Sequence, residues 1–114
     1  MAPNQSSGSR VTHVILVSFY SHVSQAVREK TLFNFRRLGN DCGGLDAGIL
    51  FWRADWNLDQ RKNYHLIAVS VFENEDALRS YVAHPKHKGF ASDLSKIADW
   101  IVGDIAVGLP IVDR

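Results

Sequence analysis

Tyr81, His84 and His87 stand at i, i+3 and i+6 in the stretch YVAHPKHKGF. On a continuous helix that spacing would set three proton-handling side chains along one side. An imidazole with an ordinary pKa of about 6.5 is mostly neutral at physiological pH and can serve as a base. A phenol beside it can serve as a proton or hydrogen-bond donor. His13, in VTHVILVSF, shares its strand face with Ile15 and Val17. An imidazole in that setting is either a hydrogen-bonded core residue or a group facing a site. Pro85 breaks the regular spacing, so a turn is expected after it. A plain connection between two helices, with its histidines in solvent, accounts for the same residues.

Rival chemistries find less support. His84 and His87 have an H-x-x-H spacing, but no Glu, Asp or Cys nearby completes a metal-ligand pattern, and no metal or other cofactor is expected. Cys42 is the single cysteine and has no base beside it in sequence, so it forms no internal disulfide and is a poor candidate nucleophile. A formal charge of +1, without a run of one sign, argues against a nucleic-acid partner, and Trp52, Trp56 and Trp100 are expected to pack rather than stack on bases. No apolar run approaches the roughly 18 residues of a membrane span, so no membrane partner is expected. The opening MAPNQSSGSR lacks an apolar signal segment and is expected as a disordered lead-in over residues 1–10, before one domain over 11–114. With a single free cysteine, a cytoplasmic setting is the default.

The elements that must position these residues follow from periodicity. VTHVILVSF (11–19), AGILFWRADW (47–56), YHLIAVSVF (64–72) and DIAVGLPIV (104–112) are expected as strands. Residues 21–41 carry Val23, Val27, Leu32, Phe35 and Leu38 near helical spacing, with Ser24 as N-cap. ENEDALRSYVAH is expected as a helix with an acidic first turn, and GFASDLSKIADWIVG as another. The order β-α-β-β-α-α-β describes an α+β domain with a largely antiparallel sheet and helices on one face. The other face would show Val14, Leu16, Ile67, Val69 and Val71 to water, so a homodimer that pairs two sheets is expected.

HVILVSF, YHLIAVSVFENEDALRSYVAHPKHKGF and GDIAV together resemble the stress-responsive A/B-barrel (Dabb) family over roughly residues 11 to 107. The resemblance implies a ferredoxin-like dimer whose two sheets close into an α/β barrel. Within the family, the chain is similar to the olivetolic acid cyclase-like polyketide cyclases, which close a linear polyketide by an intramolecular aldol step without a cofactor. That likeness implies His87 as base, Tyr81 as the assisting acid, and a small-molecule substrate. It also implies a cavity between sheet and helices lined by His13, Ile15, Val17, Leu32, Phe35, Leu66, Ala68, Ser70, His84 and Phe90. Leu66 stands where the cyclase pattern has a further histidine, and Ala68 and Ser70 where it has valines, which implies a roomier pocket and a different occupant. The motif by itself does not separate that enzyme from a non-catalytic dimeric barrel, and a cofactor-independent monooxygenase is a third reading.

Overall fold

The computed structural model describes residues 9–107. Nearly all of the expected lead-in, and the end of the expected 104–112 strand, lie outside the described residues. The elements run β1 (Arg10–Phe19), α1 (Gln25–Asp41), a short 3-10 turn (Gly44–Ala47), β2 (Ile49–Trp56), β3 (Leu66–Phe72), α2 (Glu75–Ala83), α3 (Pro85–Ser95) and β4 (Ala98–Val107). The sheet order is β2-β3-β1-β4 with every pairing antiparallel, a ferredoxin-like α+β arrangement.

Period-2 alternation sorts the strands as expected. Val11, His13, Ile15, Val17 and Phe19 of β1 are buried, as are Leu66, Ala68, Ser70 and Phe72 of β3. Helix α1 lays Leu32, Phe35 and Leu38 over them. Its start is set by Ser24, whose hydroxyl accepts the Val27 N–H at 3.2 Å. Asn74 caps α2 in the same way, on the Ala77 N–H at 2.8 Å, with Glu75 and Asp76 in the first turn. On the other side Val14, Leu16, Ile67, Val69 and Val71 are half-buried, while Ile101 and Ile105 of the edge strand are 50% and 67% exposed.

Two expectations are corrected. Pro85 does not end helical structure; it opens α3 at its first position, where a missing N–H costs no hydrogen bond. The stretch 89–103 is not one helix either. Helix α3 stops at Ser95, and β4 begins at Ala98. Leu94, Ile97 and Ile101 carry a helical spacing, but Ala98, Trp100 and Val102 pair across β1 with Phe19, Val17 and Ile15. A ladder of sheet hydrogen bonds overrides the local period.

Candidate functional site

The site is assembled from four elements that meet over the middle of the sheet. β1 turns His13 inward, opposite Ser70 of β3 and Asp104 of β4. The Asp104 carboxylate accepts the His13 Nδ1–H at 2.5 Å. That bond leaves Nε2 as the free nitrogen of a ring only 6% exposed. Its edge meets Phe72 and Tyr81, with centroids 6.0 and 6.2 Å away.

Tyr81 sits in the last turn of α2, 3% exposed. Its ring lies among His87 at 4.6 Å, Phe72 at 5.2 Å and Trp52 at 5.5 Å. Among the described residues, its hydroxyl is the one buried side-chain polar atom without a hydrogen-bond partner. An orphaned buried donor costs about 1–3 kcal/mol, and a fold retains one where something else supplies the missing bond. Burial pushes the phenol well above its ordinary pKa, with the nearby Cys42 adding in the same direction. The hydroxyl is therefore a donor at every ordinary pH.

His87 enters from the first turn of α3 and is half-buried. Its Nδ1 lies 3.0 Å from the Val82 carbonyl, which can only accept, so Nδ1 carries the proton. Nε2 is left with an unshared pair. Burial lowers the His87 pKa; the Val82 carbonyl opposes that shift, and His13 adds to it. The ring is a neutral imidazole of fixed tautomer beside an unpaired phenol. The hydroxyl and Nε2 are the groups that acid–base chemistry needs.

The other expected residues are placed as follows. Ile15, Val17, Leu32, Phe35, Leu66, Ala68 and Ser70 are all buried. Phe90 is half-buried and rests on Phe35, with centroids 4.7 Å apart. His84 does not join the group: its Nδ1 accepts the Lys86 N–H at 3.0 Å and caps α3. Ala68 and Ser70 are covered, at 5% and 3% exposure, and Ser70 stands opposite Trp52 in the β2–β3 register. Among the described residues no cluster of three His, Cys, Asp or Glu side chains is placed to hold a metal ion.

Asp104 and Cys42 belong to the site without having been singled out for it. Asp104 is legible only through the β1–β4 register. Cys42 caps α1, is 3% exposed and receives the backbone N–H of His87 on its sulfur; burial raises its pKa and that N–H lowers it. Nothing in the local sequence signals either neighbour.

A model of the Dabb family, the stress responsive A/B barrel domain, matches residues 11–107. The stress-response A/B barrel domain-containing protein HS1 of Arabidopsis thaliana is 32% identical over 83 residues, covering 72% of this chain and 74% of that one. An uncharacterized protein of Streptomyces coelicolor is 30% identical over 63 residues, 54% of this chain; the match spans 65% of that relative's length, a little under two thirds. Among solved structures, a dimeric ferredoxin-like protein of Thermobifida fusca superposes with a TM-score of 0.76 at 19% identity, over 88% of this chain and 92% of that one. The hydroxynitrile lyase of Passiflora edulis gives 0.75 at 14%, over 92% and 99%. SnoaB of Streptomyces nogalater, a cofactor-independent oxygenase, gives 0.66 at 20%, over 90% and 99%. At these identities the structural likenesses speak for the fold.

Proposed function

We propose that this chain, which belongs to the stress responsive A/B barrel domain family, is a cofactor-independent acid–base enzyme of small-molecule metabolism. Its substrate is a polyketide-like or aromatic β-dicarbonyl compound, and its reaction is an intramolecular aldol closure or a related lyase or isomerase step. The observation that carries this reading is the Tyr81 hydroxyl, buried and unpartnered beside an imidazole whose free nitrogen is Nε2.

The steps follow from those two groups. His87 Nε2 takes the proton from the carbon between two carbonyls, and the resulting carbanion attacks a third carbonyl of the same molecule. One carbon–carbon bond forms, and the attacked oxygen becomes an oxyanion that receives the Tyr81 hydrogen bond. The His87 imidazolium then returns its proton to that oxygen, leaving an alcohol and a neutral base. Asp104 orients His13, whose Nε2 is available to hold a substrate oxygen. The closed interior supports a second reading, a non-catalytic dimer in which Phe35, Phe72, Phe90 and Trp52 simply fill the space. In both readings the half-buried sheet face pairs two copies of the chain.

A linear aromatic triketone, followed by absorbance and by chromatographic separation of the cyclised isomer from the linear one, separates the two. The protein is expected to close the ring faster than buffer, and His87→Ala to lose about 10²–10⁴ of that acceleration. A wild-type rate equal to that of buffer, or one that survives His87→Ala intact, would overturn the enzyme reading.

A further inference from the structure

A hydroxyl as buried as that of Tyr81 can meet a ligand only if a neighbouring ring moves. Trp52 is not that ring. Its indole N–H donates to the Phe35 carbonyl at 2.9 Å, and Gly39 of α1 lies so close that a Cβ there would sit 2.6 Å from the indole. Phe90 has no such tether. It is half-buried, lies one helical turn beyond His87 on α3 with its ring tilted against Phe35, and follows Gly89, the poorest helix former after proline, in a helix of 11 residues. Phe90 also lines a surface cleft of about 220 Å³ between α1 and α3, together with Asn34, Arg37, Leu38, Asp41 and Lys86. Among the described residues Arg37, Asp41 and Lys86 make no ion pair. Two cations facing one carboxylate give the mouth of the cleft a net positive charge, and Lys86 directly precedes His87 on α3.

We propose that the α1–α3 cleft is the substrate entrance, that Phe90 is its gate, and that Arg37 and Lys86 select substrates bearing a carboxylate. The inference rests on the acid–base reading above and names its substrate class: an apolar, aromatic body with one anionic end. The carboxylate stays in the cleft with the two cations. The rest of the molecule takes the place of the displaced Phe90 ring and reaches Tyr81 and His87. Asp41 works against this selection, so neutralising it strengthens the preference.

The test uses 4-acetoacetylbenzoate and its methyl ester as paired probes, with Kd read from tryptophan fluorescence and contacts from amide chemical shifts. The acid is expected to bind roughly fivefold tighter than the ester, the scale of solvent-screened charge pairs. Arg37→Gln with Lys86→Gln should erase that ratio, and Asp41→Asn should widen it. Gly89→Ala, which has open space for its Cβ, should slow association of both probes, and Phe90→Ala should speed it. Equal binding of acid and ester, still weakened by Tyr81→Phe, overturns the inference and leaves the enzyme reading standing. Binding that ignores Tyr81→Phe, or no binding of either probe, overturns both. Shifts confined to the cleft, with none at His87, overturn the entrance.

Discussion

The two faces of this sheet are built from the same strands and nearly the same residue types, yet they have opposite fates. The inner face, with Ile15, Val17, Leu66 and Phe72, lies at or below 7% exposure beneath three helices. The outer face, with Val14, Leu16, Ile67, Val69 and Val71, has no helix over it among the described residues and remains half-exposed. Alternation decides which residues share a side, and connectivity decides which side the helices take. The polar groups follow the same division. Inside, among the described residues, the Tyr81 hydroxyl is the one buried side-chain polar atom without a hydrogen-bond partner; outside, the apolar strip is left half-exposed.

Removing a ring from the inner face has the largest effect on folding. Phe72→Ala, at a position with 0% exposure, is expected to cost about 3–5 kcal/mol in urea unfolding. A loss under about 1 kcal/mol would show the interior to be loose. On the outer face the expected change is in assembly. Ile67→Lys with Val69→Lys should leave the far-UV spectrum native and reduce the mass by light scattering from two chains to one, since the partner surface would have to bury two unpaired charges. A dimer that survives both lysines uses another surface.

Tyr81→Phe sharpens the contrast from within. Deleting an unpartnered buried hydroxyl should raise stability by about 1 kcal/mol while ring closure falls, a gain that no residue with satisfied hydrogen bonds would give. The smallest effect is in pH. The folded pKa of His87 lies below its unfolded value of about 6.5, so between the two the unfolded chain binds the extra proton. Stability is therefore complete above about pH 6.5 and declines as pH falls through that window. His65 contributes in the same direction, because burial and Arg28 lower its pKa too. His87→Gln should flatten part of the slope in urea titrations between pH 5 and 8, and an unchanged slope would mean that His87 is not held neutral.

Much of this was open to a reader of the chain alone. Strand alternation on 11–19 and 64–72 separates the covered face from the bare one, because side chains on a strand reverse at every residue. Ser24 announces α1 because its hydroxyl can satisfy a free N–H at the helix start. The motif Tyr81-x-x-His84-Pro85-x-His87 was legible as a unit, but its internal division of labour was not. His84 became a cap and His87 the ring beside Tyr81 because Pro85 starts a helix rather than ending one.

What tertiary structure alone settled is where distant residues meet. Asp104 reaches His13 across 91 positions of sequence only because β4 pairs with β1 in one particular register. That pairing also turned 98–103 from helix to strand, since an amphipathic hexamer satisfies either period until a ladder is offered to it. The ring cluster of Trp52, Phe72 and Tyr81 was equally beyond a linear reading, because its members come from β2, the end of β3 and α2. Local composition prescribes each element's period and ends. The burial of the Tyr81 hydroxyl is a property of packing, and packing exists only once the elements have met.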